Sequence, residues 1–275
     1  MIQSMLIIVN AEGFSWNILP TSCGSIFPLH RTSSRKSAAF VPPRGYFFDV
    51  VRSPRPPARQ PERRRLDGER RRDEILDAAL HCFSARGVLG VGIEDIRKRA
   101  GASPSSVYNL FADLDGIMLA LLIRVFDRLL AAIAARVSRT RTAGGAVRAL
   151  VDAHLEWIAD HPAEGRFMYQ AMTLEGASLP ARARQQLAAA KAVGLQPIVT
   201  HLARFVARGE LPAWPASLLD VVLLGPAHEA LRRWLAGGSE FDPTQLRRLL
   251  PALAWDSLQG THAPKRRRPA RRHSA

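Results

Sequence analysis

Ile93-Glu94-Asp95-Ile96-Arg97-Lys98-Arg99-Ala100-Gly101-Ala102-Ser103-Pro104-Ser105-Ser106-Val107-Tyr108-Asn109-Leu110-Phe111 is the stretch whose reading decides the fold of this chain. Residues 93–100 and 103–111 carry apolar side chains at helical spacing, and Gly101-Ala102 leaves room for only a tight turn between them. Ser103 is placed to cap the second helix, and Pro104 follows at the first-turn position, where a missing N–H costs nothing. Ile96, Ala100, Val107 and Phe111 fall on the inner sides. Ser103, Pro104, Ser105, Ser106 and Asn109 fall outward and are small and polar, which lets the backbone approach phosphates and base edges closely. Two short helices held near a right angle by such a turn form a helix-turn-helix, whose second helix enters a DNA major groove; an αα-corner within a larger helical domain is the alternative that the pattern leaves open.

The flanks continue the helical period. A helix over residues 70–86 turns Ile75, Leu76, Ala79, Leu80 and Phe83 inward, and Gly87 is its C-terminal stop. After Asp113 a long helix carries Leu114, Ile117, Met118, Leu121, Leu122, Val125 and Leu129 on one stripe, long enough to join two domains. The Thr142-Ala143-Gly144-Gly145 segment reads as a break. Helices are then predicted over 146–159, 162–174, 180–208 with a kink at Pro197, and 217–236 with an interruption near Gly225-Pro226. A last one is capped by Asp242. No run of Val, Ile and Thr alternates with period two, so the expected class is all-α, with about nine helices.

Composition sets the frame around them. The chain has 275 residues, 47% of them hydrophobic, and single cores rarely grow beyond about 250 residues before splitting. The predicted division is a disordered basic extension over 1–66, a three-helix DNA-binding domain over 67–115, a larger helical ligand-binding and dimerisation domain over 116–260, and a disordered basic tail over 261–275. The extension is rich in Ser, Pro and Arg without a sustained period, and such sequence buries too little apolar surface to offset its ordering entropy. Lys and Arg number 39 against 24 acidic residues, a formal charge of +15, which favours a polyanionic partner such as double-stranded DNA. Both tails read either as solvated charge or as phosphate-gripping arms, and the extension also as upstream sequence included by a misplaced start.

Cys23 and Cys82 form no disulfide framework or metal spacing, which fits a reducing cytoplasm. The apolar run at 5–9 is too short to span a bilayer and lacks a basic flank and a cleavage site. No secretion signal and no membrane contact are expected.

Arg72-Asp73-Glu74-Ile75-Leu76-Asp77-Ala78-Ala79, followed by Phe83, Gly87, Ile93, Ile96, Ala100-Gly101-Ala102-Ser103, Val107-Tyr108 and Phe111, strongly resembles the N-terminal domain of the tetracycline-repressor (TetR/AcrR) family. The detailed match covers residues 70–122; the later helices fit the family's C-terminal domain by number and length. The resemblance implies a homodimer whose recognition helices read a near-palindromic operator and are released when a small ligand enters the C-terminal domain. It also implies that Tyr108 contacts the DNA backbone, whereas the residues alone allow equally a half-buried ring packing the third helix on the first. The sequence departs from the family at four places. Arg97 stands where a small Ala is usual, Gly92 where Ser or Thr caps the helix, Leu110 where His is usual, and Leu114 where Lys is usual. Arg70, Arg71, Arg72, Arg97 and Lys98 flank the same surface and are expected to take over the backbone contacts. A helical ligand-binding or adaptor dimer without specific DNA binding is the second reading, motivated by these departures.

In the C-terminal part, His154 falls inward with Val147, Leu150, Val151 and Ile158, and Trp157 lies close beside it. Phe167, Met168 and Met172 follow on the next helix. Adaptable Met and aromatic side chains around one polar group suit a pocket for a mostly apolar small molecule; ordinary core with a hydrogen-bonded histidine is the alternative. His154, Asp160, His161 and Glu164 have no diagnostic metal spacing and are broken by Pro162, so no metal and no cofactor are assigned. No phosphate loop and no nucleophile elbow occur, and no enzyme is expected. Leu231, Trp234, Leu235, Leu246, Leu249, Leu250 and Leu253 carry more apolar surface than one subunit needs and are read as a two-fold dimer interface.

Overall fold

The computed structural model describes residues 60–178, 180–238, 240 and 242–262. Most of the predicted extension, with Cys23, and nearly all of the predicted tail lie outside the described residues. Among the described residues there are nine α-helices: α1 Gln60–Arg86, α2 Ile93–Arg99, α3 Pro104–Leu110, α4 Leu114–Val137, α5 Ala143–Asp160, α6 Pro162–Ser178, α7 Ala181–Ala207, α8 Ala216–Leu235 and α9 Pro243–His262. A 3-10 turn, Val88–Gly90, links α1 to α2. None of the helices is long and apolar enough to cross a membrane.

Boundaries differ from the sequence reading where local chemistry outweighs apolar periodicity. α1 begins at Gln60, so residues 60–66 are helical and not disordered as expected. They have no apolar stripe to reveal them, but they are rich in good helix formers, and Arg65 and Glu69 pair across one turn at 3.8 Å. The expected break at 142–145 is the start of α5: Thr142 Oγ1 accepts the N–H of Gly145 at 3.1 Å as an N-cap. The interruption expected at Gly225-Pro226 is absent, and α8 runs through it. Pro226 is exposed there, while Leu223, Ala227 and Leu231 are buried around it, so packing holds the helix across the lost hydrogen bond.

The core is continuous from one end of the molecule to the other. Ile75, Leu76, Ala79 and Phe83 of α1 join Ile96, Val107 and Phe111 of the helix-turn-helix, and Ile117 and Leu121 of α4. From there α4 passes Val125, Leu129 and Ile133 to Val147, Val151 and Ile158 of α5. Two close approaches set the spacing of the C-terminal helices. A Cβ at Gly144 would lie 2.9 Å from the ring of Trp255 in α9, and one at Gly194 would lie 2.8 Å from Leu130 in α4. Substitution Gly144→Val is therefore expected to overpack the contact between α5 and α9 and lower stability by about 1–3 kcal/mol in urea unfolding. Gly68→Ala, whose Cβ meets nothing within 4 Å, should instead raise stability by about 0.5–1 kcal/mol.

Candidate nucleic-acid interface and ligand site

The helix-turn-helix is held by backbone turns and two arginines. Gly92 has no capping side chain, but its N–H donates to Asp95 Oδ2 at 2.9 Å, and Arg86 pairs with the same carboxylate at 3.1 Å. The Gly92 bond first, then Arg86, keep Asp95 below the usual carboxylate range. Gly101 turns the chain with φ +57, a region that side-chain-bearing residues seldom adopt. Ser103 Oγ then accepts the N–H of Ser106 at 3.2 Å, with Pro104 in the first turn, as the sequence implies. Val107 and Phe111 are buried.

The outward face of α3 presents Ser103, Pro104, Ser105, Tyr108 and Asn109. Tyr108 is 58% exposed, which removes the packing role left open for it. Ser106 is half-buried, and its hydroxyl is 2.9 Å from Ser103 Oγ, so it supports the cap and adds little to the outward face. Arg97 corrects the expectation of a backbone-gripping cation. Its Nε donates to Glu94 Oε2 at 2.8 Å and its Nη1 to the Ala102 carbonyl at 2.9 Å, so it ties α2 to the turn where the family carries Ala. Arg70 and Arg71 are also engaged, both with Glu74. Lys98 and Arg99 are exposed beside the turn, and Arg72 lies over the Phe111 ring at 5.4 Å, at the far end of α3. Leu110 and Leu114 pack half-buried against the core.

Helices α5 to α8 enclose a polar cluster that the sequence reading found only in part. His154 is buried; its Nε2 is 3.3 Å from the Tyr169 hydroxyl and its ring centroid 4.8 Å from that of His228. Lys191 is also buried, with its ammonium 4.3 Å from the Phe126 ring centroid. Burial, then the neighbouring His228, hold the His154 imidazole well below its ordinary value. Burial, then Lys191, bring His228 down to about 4. Asp220 is pushed up to about 6 by burial, against the pull of Lys191. Tyr169 is pushed up by burial and by Asp220.

Two residues expected in the pocket lie elsewhere. Trp157 stacks on His161 at 4.5 Å with Arg128 over it, and Phe167 stacks on Phe83 of α1 at 5.3 Å. Met168 is buried and Met172 half-buried on α6. Tyr169 and His228 were missed among ordinary helix residues, and Lys191 and Asp220 because each is a single charge within a short apolar run. That isolation, as in Leu219-Asp220-Val221, is the signal that marks them. Among the described residues no group of three or more His, Cys, Asp and Glu is placed to hold a metal.

The family model described as bacterial regulatory proteins, tetR family, matches residues 75–121, which hold the helix-turn-helix. This segment is similar to the DNA-binding part of tetR-family regulators. The chain is 26% identical over 202 residues to the HTH-type transcriptional activator FasR of Mycolicibacterium smegmatis, covering 73% of this chain and 87% of the relative. Its fold is similar to that of a TetR family transcription regulator from Marinobacter aquaeolei, with TM-score 0.57, 20% identity, and 71% of this chain and 98% of the other covered. It is also similar to FadR from Bacillus subtilis, solved in complex with stearoyl-CoA, with TM-score 0.55, 18% identity, and 66% and 96% covered. The chain is thus a DNA-binding transcriptional regulator with an all-α fold.

The residues assigned to a dimer interface divide. Leu231 and Leu235 are buried inside the protomer, which removes them from the surface stripe. Leu249 and Leu253 are 59% and 58% exposed, and Leu218 and Val221 of α8, not foreseen, join them at 44% and 48%. Trp234, Leu246 and Leu250 are half-buried.

The two exposed cations beside the turn and the engaged arginine separate in a salt titration of operator binding. Lys98→Ala should reduce the slope of log affinity against log salt by about 1. Arg97→Ala should leave the slope nearly unchanged but lower the melting temperature of the protein.

Proposed function

We propose that two copies of this chain pair through α8 and α9 and bind a near-palindromic operator as a repressor that a mostly apolar small molecule releases. The outward polar face of α3, with Tyr108 exposed beside Ser103, Ser105 and Asn109, carries this reading. Two such helices need a separation of about 34–36 Å, one duplex turn, to enter successive major grooves. The stripe of Leu218, Val221, Leu249 and Leu253 supports pairing as a four-helix bundle across a two-fold axis. Stearoyl-CoA on the Bacillus subtilis FadR supports an apolar ligand with a long chain. The working place is the cytoplasm, on the nucleoid when bound, with no catalysis.

Release runs through α6. Phe167 on one side of it stacks against Phe83 of the DNA-reading end, and Tyr169, two positions on, faces the polar cluster on the other. α4 runs alongside, tied to α1 by Arg124 and Asp77 at 2.8 Å and to α6 by Arg128 and Glu164 at 2.8 Å. A ligand that moves Tyr169 therefore tilts α6 and α4 against α1 and changes the separation of the recognition helices.

Activation is the second reading, favoured by the activator name of the Mycolicibacterium relative. Gel shifts on the DNA upstream of the protein's own coding sequence at two salt concentrations test binding, and transcription from that fragment with and without the protein gives the sign. Leu249→Glu with Leu253→Glu should yield monomers with reduced operator affinity. A stable dimer of that variant in sedimentation overturns the α8–α9 interface.

A further inference from the structure

The polar cluster of the C-terminal domain is assembled by four helices: His154 from α5, Tyr169 from α6, Lys191 from α7, and Asp220 and His228 from α8. Tyr169, Asp220 and His228 keep part of their surface accessible, yet lost hydration dominates how each of them titrates. His154 and Lys191 are buried among them, so the five side chains meet between the helices as one part-exposed polar recess. Phe126, under the Lys191 ammonium, and Met172, one turn from Tyr169, add apolar surface beside it.

We infer that this recess binds an amphipathic organic acid, with the carboxylate held among His154, Tyr169 and His228 and the apolar body lying along Phe126 and Met172. The inference rests on the ligand-release reading above and names the class of that ligand. The balance of donors selects the acid. The Lys191 ammonium, the two imidazoles and the Tyr169 hydroxyl can all donate hydrogen bonds, and Asp220 is the one carboxylate among these five groups. A cationic guest would leave a buried positive charge uncompensated, because Tyr169 is pushed away from ionising. A carboxylate can be balanced by one proton taken up on His228, the part-exposed imidazole of the two, which burial holds neutral until an anion arrives. A neutral alcohol would gain hydrogen bonds but not the charge-assisted ones, which are roughly twice as strong.

Several other charges on the surrounding helices have partners of their own, and Asp127 of α4 is pushed up by burial. Arg136 of α4 and Arg247 of α9 pair with Asp152 and Glu156 of α5, Arg128 of α4 pairs with Glu164 of α6, and Arg166 of α6 donates to the Leu235 carbonyl. On α7, His201 is engaged with Thr140 and Arg204. The imidazoles lie 4.8 Å apart at a tilt of 56°, Tyr169 and Lys191 act on His228, and Asp220 acts on Tyr169 and Lys191.

Calorimetry of the full chain with straight-chain carboxylic acids of six to eighteen carbons, in two buffers of different ionisation enthalpy, decides the matter. The expected result is that at least one acid binds near pH 7 with uptake of close to one proton, and binds more tightly than the alcohol of equal length. Because the complex holds one proton more than the separated partners, affinity should fall as pH rises, by up to about tenfold per unit. His228→Gln should abolish most of the uptake, with circular dichroism confirming that the variant is folded; if it does not fold, the wild-type buffer comparison still decides. Binding without proton uptake, alcohols equal to acids, or no acid bound anywhere in the series overturns the inference. Gel shifts with the same compounds separate it from the release reading. An acid bound with proton uptake that leaves the operator occupied sustains the acid site and sinks ligand release, whereas operator release by an alcohol without proton uptake sinks the acid site alone.

Discussion

Phe83 against Phe167 is the contact through which the DNA-reading end and the C-terminal bundle become one body. Both rings are fully buried, so neither half can close its own core without the other. A helix-turn-helix of this size has a small interior of its own, and domains so small bury too little surface to stand far above their entropy cost. Packing α1 on α6 and α4 extends that interior into the bundle. The same economy makes the recognition helix sensitive to the bundle, because close-packed interiors transmit displacement instead of absorbing it.

Electrostatics trims this arrangement at three levels. Around the turn, Arg97 and Asp95 replace the small residue and the hydroxyl cap of the family pattern with charged hydrogen bonds to Glu94, Ala102 and Gly92. Deeper in, Arg136 and Arg247 share Asp152 and Glu156, which binds α4, α5 and α9 together on one flank. These groups are partly exposed, and exposed pairs each contribute about 1 kcal/mol or less; their value is in holding the mutual orientation of three helices. In the polar cluster the balance is different, since burial is the largest influence on Asp220 and on both imidazoles.

The helix-turn-helix was legible nearly residue by residue. Gly87, Gly101, Ser103, Pro104 and Asp113 are stop, turn and cap signals that act over a few residues, and the structure uses each as its chemistry suggests. Of the polar cluster proposed as the ligand site, His154 alone was legible, singled out by its apolar face. Its partners Tyr169, Lys191, Asp220 and His228 come from three other helices, and no local period relates positions so far apart in the chain. Trp157 and Phe167 show the converse error. They share a helical neighbourhood with His154 and Met168, yet the rotation of each helix turns them to other faces.

By itself the sequence determined the helices, their caps and the polar face of the recognition helix, because those depend on propensities and hydrogen bonds within about four residues. Tertiary structure alone decided which leucines stay outside. Leu231 is enclosed by its own protomer while Leu249 and Leu253 face out, although all three belong to similar apolar stripes. It also decided that Arg97 would bond to Glu94 and to the Ala102 carbonyl of the turn. Both outcomes depend on how whole helices are rotated against one another, and that rotation is set by close contacts such as Gly144 on Trp255, between residues more than a hundred positions apart.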